Sequence, residues 1–450
     1  MRRTLTTVAA AAGLAVAVFV AGALGPGGTR DTARRGDAGI TGTADAVLRP
    51  APAVASVDAT IDSLRDRLAA VPGDWQASAA LGIAYVQRAR ITADPSTYPT
   101  AETALRDSLR LRRAGNTDAL VGLGSLAAAR HDFSTALRWG TRAVRLSPYD
   151  ADAYGVVGDA QLELGRYRAA FSSFQRMVDT RPDLASYARV SYALELRGDV
   201  SGAIAAMRAA YGVASGPSDT AWAAAHVAKL HLGDGRLGRA IAWFRRARSA
   251  DPTSIEAQAG LAFTAWARGD LDRAIAGYEA LVARYPSPEH VAVLGDLYEA
   301  IGDPKAAEQR WALVRAEARL FRANGVDVDL ELALFEADHP GGDSARAALR
   351  AARAEWSRRK SVHVADALAW ALHANGNERE AAARSRDALR LGTRNALFLF
   401  HAGMIRLSLG DEVAARSLLR RAFDVNPWFS VRWSPVLRTT LARLGELPSG

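Results

Sequence analysis

The sequence repeats itself about every 34 residues, and this period constrains the fold more than any other feature of the chain. In four copies an alanine is followed four residues later by a large apolar residue and eight residues further on by a proline. The pattern recurs at Ala170, Phe174 and Pro182, at Ala240, Phe244 and Pro252, at Ala274, Tyr278 and Pro286, and at Ala415, Leu419 and Pro427. A period of this length predicts short structural units that bury their apolar faces by stacking in a row.

A second signature marks the first half of a unit. Leu81-Gly82 with Tyr85 and Leu294-Gly295 with Tyr298 share the spacing Leu-Gly-x-x-Tyr. Five units also contain a glycine followed by Asp or Asn, a pair that suits the left-handed conformation where a helix ends and the chain reverses. These pairs are Gly198-Asp199, Gly269-Asp270, Gly302-Asp303, Gly376-Asn377 and Gly410-Asp411. Each unit is therefore predicted to be a hairpin of two helices.

The predicted unit starts keep the period over most of the chain. They lie near Thr117, Ala151, Leu184, Ala221, Ile255, Pro288, Val328, Val362 and Ala396. A less regular unit comes before them, with helices predicted at residues 75–90 and 100–113 and an insertion at 94–99.

Together the two signatures resemble the tetratricopeptide repeat, whose pattern is Trp-x-x-Leu-Gly-x-x-Tyr, then Ala-x-x-x-Phe, then Pro. The resemblance covers roughly residues 75–427. It implies an all-α fold, a right-handed superhelical solenoid of about ten helix-turn-helix repeats. Residues 58–74 and 428–450 are expected to form capping helices, the latter with a short tail, because the end units of such an array leave an apolar face uncovered.

The first residues have the layout of a secretory signal. Met1-Arg2-Arg3 precedes an uncharged stretch with an alanine-rich apolar centre and small residues at Ala21 and Ala23. Residues 1–24 are therefore predicted to be a cleaved signal peptide, with an uncleaved membrane anchor or a misassigned start as alternatives. Residues 25–57, rich in Gly, Pro, Thr, Asp and Arg, are predicted to be a flexible linker. The folded part is expected to be exported, either secreted or in the cell envelope, with membrane contact only through residues 4–24.

Composition and motifs favour no catalytic site, metal or cofactor. The chain has no cysteine, which excludes disulfides, thiolate metal sites and a cysteine nucleophile. It contains no metalloprotease, P-loop, serine-hydrolase or calcium-loop motif, and its eight histidines are scattered. The net charge of +9 comes mostly from arginine, and arginine clusters such as Arg245-Arg246 are expected on a solvated convex face. We therefore expect no nucleic-acid partner.

The resemblance also implies a binding groove. In tetratricopeptide arrays the second, fifth, ninth and twelfth residues of each unit line the concave surface. Here these places hold eleven acids and a single base, Lys229, interleaved with aromatic residues of the kind that dominate binding energy at interfaces. The predicted groove residues are Asp159, Tyr192, Glu195, Trp222, Lys229, Phe263, Trp266, Asp296, Glu299, Glu336, Asp366, Trp370 and Phe400. The expected ligand is a basic and apolar protein or peptide segment.

Three hypotheses about function follow. The leading one is a non-catalytic scaffold for protein–protein interaction, as the resemblance implies. The second is an enzyme, or an enzyme subunit, that uses groove carboxylates for acid–base chemistry, with Asp159, Glu195, Asp296 and Glu299 as candidates. The third is a structural spacer without a specific ligand. The sequence names no partner, since fold alone does not fix function.

Overall fold

A computed structural model describes residues 54–446 apart from Ala93 and Pro340. The predicted signal at residues 1–24 and most of the predicted linker lie outside the described residues. The described part contains 22 α-helices, a short 3₁₀ helix at Pro95–Thr97 and no strand. It is a right-handed all-α solenoid of helix-turn-helix repeats, as predicted from the sequence.

Ten helical hairpins follow one another between two single end helices. The end helices are α1, Val54–Ala70, and α22, Trp433–Arg443. The first helices of the hairpins are α2, Trp75–Thr92; α4, Thr117–Ala129; α6, Ala151–Glu163; α8, Leu184–Leu196; α10, Pro217–Gly233; α12, Ile255–Ala267; α14, Pro288–Ala300; α16, Asp329–Asp338; α18, Val362–Ala374; and α20, Ala396–Ser408. The second helices are α3, Tyr98–Leu111; α5, Phe133–Leu146; α7, Tyr167–Thr180; α9, Val200–Gly212; α11, Leu237–Ala250; α13, Leu271–Arg284; α15, Pro304–Ala323; α17, Ser344–Arg358; α19, Glu378–Ala388; and α21, Glu412–Val425.

Helix starts match the predicted period closely. Eight of the nine predicted unit starts fall within one residue of the first residue of a helix. The exception is α10, which begins at Pro217, four residues before Ala221. Gly216 precedes it with a φ of 85°, and Pro217 has the fixed φ of a first helical residue, so the chain enters this helix one turn early.

Small residues on the first helices allow the two helices of a hairpin to approach closely. Gly158 lies on Phe174, and Gly295 lies on Trp311, sixteen residues later in each case. A Cβ atom built on either glycine would come within 2.4 Å of the ring. These close contacts set the distance between the two helices of the hairpin.

The superhelix comes round far enough for its later hairpins to pack on its earlier ones. A Cβ atom built on Gly165, in the turn after α6, would lie 2.4 Å from the carbonyl oxygen of Lys360. The next two hairpin turns make the same kind of approach to backbone carbonyls, Gly198 to Gly392 and Gly235 to Val425. The contact between the two superhelical turns therefore repeats once per hairpin.

Polar groups join the same two turns of the superhelix. The backbone N–H of Val362 donates to the hydroxyl of Tyr167 at 2.6 Å. The guanidinium of Arg359 donates to Glu163 at 2.5 Å and also to Glu355. We call the region around Arg359, Glu163 and Glu355 the inter-turn joint.

The ends of the array are covered by single helices. Val57 and Ile61 of α1 pack into the apolar cluster of α2 and α3, and Leu437 and Leu441 of α22 pack into that of the last hairpins. Helix α1 begins at Val54, four residues before the predicted start of the cap. Among the described residues, no helix combines the length and the apolarity needed to cross a bilayer.

Candidate functional site

All thirteen predicted groove residues lie on first helices of the hairpins, between α6 and α20. Their surroundings divide them into three groups. Asp159 and Tyr192 are buried. An open section of partly exposed residues lies on α8, α10 and α12, and consists of Glu195, Trp222, Lys229, Phe263 and Trp266. A filled section lies on α14 to α20 and consists of Asp296, Glu299, Glu336, Asp366, Trp370 and Phe400.

The buried group is held by partners within the chain. Arg189, only 1% exposed, donates two hydrogen bonds to the carboxylate of Asp159 at 2.9 and 2.7 Å. Burial raises the pKa of Asp159, while the Arg189 guanidinium acts in the opposite direction. Tyr192 stacks on the ring of His363 with the ring centroids 6.4 Å apart. The sequence analysis did not select Arg189, although its separation of 30 residues from Asp159 places the two on successive first helices.

The open section contains three aromatic rings, those of Trp222, Phe263 and Trp266. On α10, Trp222 lies 3.9 Å from the ring of His226, and on α12, Phe263 lies 5.1 Å from Trp266, centroid to centroid. The side chains of Trp222, Phe263 and Trp266 are all partly exposed. They can therefore contact a ligand without rearrangement of the core.

Glu195 is the one carboxyl group among the five residues of the open section. Burial raises its pKa to about 7, although Lys229 on the neighbouring first helix favours the charged form. Its Oε2 atom is buried and accepts no hydrogen bond from the described residues. Such an oxygen gains the most from a donor supplied by a ligand, because leaving it unpaired has a free-energy cost.

The filled section is a network of indole, imidazole and carboxylate groups. Trp370, 5% exposed, donates from Nε1 to Asp338 at 2.7 Å and stacks on His401 at 4.1 Å. His401 in turn bonds Asp366 at 3.0 Å. Trp433 of α22 donates to the same Asp338 oxygen at 3.0 Å. The sequence analysis missed Asp338, which lies at the C-terminal end of the short helix α16.

The chain's own C-terminal segment, residues 426–433, occupies this part of the groove. Phe429 and Trp433 contact the ring of Phe400 at 5.5 and 5.6 Å between centroids. Val431 is buried in the apolar cluster formed by α12 to α16. The segment therefore supplies to the filled section the apolar contacts that a ligand would otherwise make.

Arg432 brings a positive charge to the same place. Its Nη2 lies 2.6 Å from the Glu299 carboxylate, and its Nε lies 3.5 Å from that of Asp296. The guanidinium also lies over the ring of Trp311, 5.3 Å from its centroid. Asp296 is bonded by His339 as well, at 2.8 Å. Arg432 thus makes the contacts that the sequence predicted for a basic ligand in the groove, namely with carboxylates and with an aromatic ring.

The remaining predicted residue, Glu336, accepts a hydrogen bond from Arg315 at 3.1 Å.

The four carboxylates of the enzyme hypothesis have three separate sets of partners. Asp159 is bonded to Arg189, Glu195 lies near Lys229, and Asp296 and Glu299 share Arg432. The structure brings together only the last two.

One cluster of acids outside the thirteen named groove residues has the composition of a cation site. Asp327, Asp329 and Glu355 bring carboxylate oxygens within 4.8 Å of one another. The Nη2 atom of Arg358 lies between them, 2.6, 2.7 and 2.5 Å from the three groups in that order. The arginine therefore neutralises this cluster from within the chain.

Comparison with protein families decides the assignment. Two models described as tetratricopeptide repeat match the chain, one over residues 96–151 and 157–220 and the other over residues 231–297. The chain is a tetratricopeptide repeat protein. Proteins of this family are generally scaffolds that bind protein or peptide partners and have no catalytic activity of their own.

The chain is also similar, at low sequence identity, to several solved structures. A tetratricopeptide repeat protein from Parabacteroides merdae is 17% identical, with 55% of this chain and 98% of that chain covered and a TM-score of 0.39. The human IFIT1 dimer with PPP-AAAA is 10% identical, with 83% and 95% covered and a TM-score of 0.44. YrrB, a tetratricopeptide repeat protein with an unusual peptide-binding site, is 14% identical, with 42% and 96% covered and a TM-score of 0.30. No curated protein matches this tetratricopeptide repeat chain.

Proposed function

We propose that this tetratricopeptide repeat protein is a non-catalytic scaffold that binds a basic and apolar segment of a partner protein in the open section of its groove. The observation that carries the proposal is the contact of Arg432 with Asp296, Glu299 and Trp311. It is an example, within the same groove, of an arginine accepted by acids and an aromatic ring.

The open section offers similar chemistry on side chains that are partly exposed. Trp222, Phe263 and Trp266 supply aromatic surface, and Glu195 supplies an unpaired carboxylate oxygen. A ligand with one Arg or Lys next to apolar residues satisfies both features. Buried aromatic contact would give most of the affinity, and charge attraction would mainly accelerate association.

We further propose that the scaffold works outside the cytoplasm. The support is the succession of basic, apolar and small residues over residues 1–24. N-terminal sequencing of the protein from separated cell fractions tests this. An intact Met1 in the cytosol would contradict export, while an intact Met1 in the membrane fraction would indicate an uncleaved anchor.

The test of groove binding uses two pools of immobilised peptides. One pool places Arg or Lys beside aromatic residues, and in the matched pool Glu replaces every basic residue. We expect capture by the basic pool, weakened by salt because screening acts over about 10 Å at 0.1 M. Preferential capture by the acidic pool at the groove would refute the proposal.

Substitution of one tryptophan locates the site. Trp266→Ala is expected to cost about 1 to 3 kcal/mol of binding free energy, as truncation of an aromatic anchor does. The matched control is Trp243→Ala on the second helix α11, because Trp243 is also partly exposed but packs on Tyr211 away from the groove. Trp370 is unsuitable for this test, since its ring is part of the buried network with Asp338 and His401. Equal losses in the two variants would show that the open section is not the binding site.

A further inference from the structure

The outer surface of the second hairpin, α4 and α5, carries a feature that the groove does not explain. Helix α5 separates two shallow cavities of about 550 and 530 Å³. One lies between α5 and the preceding hairpin, and the other lies between α5 and the turn that follows α6. Arg138 and Arg142 form the ridge between them, because both side chains line both cavities.

All the charged side chains that line the second cavity are arginines. Arg138, Arg142, Arg145 and Arg166 line it together with Ser134, Leu137, Thr141 and Leu164, and this lining contains no carboxylate. All four arginines are exposed. Three of them, Arg138, Arg142 and Arg145, follow the helical spacing of four and three residues and so form a row about 10 Å long on one face of α5.

These arginines lack the partners that other exposed arginines of the protein have. Arg106 is bonded to Glu102, and Arg346 to Asp343, each within its own helix or at its start. Arg138 donates instead to the hydroxyl of Thr135 at 2.7 Å, and Arg142 lies over the ring of Trp139. Within residues 54–446 as described, none of the four lining arginines forms an ion pair with a carboxylate.

The first cavity shows which kind of anion the surface fits. Its lining includes Glu102 and Asp132 as well as four arginines. The charged groups of this lining are four arginines and two carboxylates, so it is less basic than the lining of the second cavity. A protein segment can place its acids on the arginine row and an uncharged residue opposite Glu102 and Asp132, whereas a polymer with a negative charge on every unit cannot.

Apolar surface continues from the end of the row. Leu146, the last residue of α5, is 41% exposed, and Tyr149 just beyond it is 90% exposed. Exposed aromatic rings beside arginines are typical of the energetically important positions of protein interfaces. We propose that the α5 ridge, defined by Arg138, Arg142, Arg145 and Arg166, is a second docking surface that binds an acidic segment of a partner protein.

This surface is independent of the groove and prefers the opposite charge. The array would therefore hold an acidic segment on its outer face and a basic segment in its concave groove. The two proposals can be tested separately, because the groove is probed with a basic peptide and the α5 ridge with an acidic peptide. If one site binds no peptide, the proposal for the other site is unaffected.

The test uses the mature full-length protein and a fluorescent peptide in which Glu alternates with Leu. A matched peptide with Gln in place of every Glu is the ligand control. The double variant Arg142→Gln and Arg145→Gln removes two charges from the ridge. The double variant Arg245→Gln and Arg248→Gln removes the same charge from exposed, unpaired positions on α11, another second helix.

We expect the acidic peptide to bind the wild-type protein and the α11 variant equally and to bind the α5 variant about tenfold more weakly, as loss of two exposed ion pairs predicts. Trp266→Ala is expected to leave this binding unchanged. Equal weakening in the α5 and α11 variants would overturn the proposal, because it would show attraction to net charge alone. Tighter α5-dependent binding of a single-stranded oligonucleotide, or of phosphatidylserine vesicles, would also overturn it in favour of that class of ligand.

Discussion

Glu331 offers the sharpest test of how the two superhelical turns are joined. It lies on α16 next to the inter-turn joint and is 3% exposed. None of the described residues other than Glu331 itself donates a hydrogen bond to either carboxylate oxygen. Burial raises its pKa to about 8, although Arg359 acts in the opposite direction, and the nearby Glu355 and Asp327 reinforce the rise. The folded protein therefore keeps this carboxyl protonated at neutral pH.

The sign and size of the effect follow from the two pKa values. The ordinary value in the unfolded chain is 4.5, so between pH 4.5 and about 8 the folded state holds one proton more than the unfolded state. The free energy of unfolding therefore falls as the pH rises, by about 1.4 kcal/mol per pH unit from this group. The cost amounts to about 1 kcal/mol at pH 5 and about 4 kcal/mol at pH 7.5.

Glu331→Gln removes this cost, because glutamine has the shape of the protonated carboxyl and does not ionise. We expect the variant to gain about 3 kcal/mol more at pH 7.5 than at pH 5, measured by urea unfolding followed by circular dichroism. Glu412→Gln, at an exposed position on α21, is the control and should change little at either pH. A Glu331→Gln gain that is the same at both pH values would refute the assignment of a protonated carboxyl at the joint.

Two further perturbations test the packing of the superhelical turns and the chemistry of the groove. Gly165 has a φ of 76°, and Gly165→Ala places a methyl group against the Lys360 carbonyl. We expect this variant to lose about 2 to 4 kcal/mol of stability, measured by thermal unfolding. The control Gly302→Ala, at a φ of 81° with nothing within 4 Å, should lose only about 1 kcal/mol. Equal costs would show that the turns do not touch at Gly165. Calorimetric titration should show that a basic peptide binds about tenfold more tightly at pH 8 than at pH 6. The reason is that the peptide's cation favours the ionised form of Glu195, whose pKa is about 7. In the Glu195→Gln variant the affinity should depend much less on pH. A wild-type affinity that is constant over this range would exclude Glu195 from the contact.

The sequence by itself determined the repeat, the hairpins and the helix on which each groove residue lies. Thr117, Ala151 and Leu184 were predicted as starts and are the first residues of α4, α6 and α8. Such features are local, since helical periodicity, glycine turns and the Gly158–Phe174 type of contact act within one unit of about 34 residues. Whether the thirteen groove residues bind a partner stays a prediction.

Only the tertiary structure decided what those residues touch. Arg189 covers Asp159, Arg432 reaches Asp296 and Glu299, and Gly165 meets Lys360 almost 200 residues away. The position of each hairpin depends on the small rotations of all the hairpins before it, and those rotations add up along the row. Contact between the two superhelical turns, and the filling of one part of the groove by residues 426–433, follow from that accumulated rotation, which no single repeat specifies.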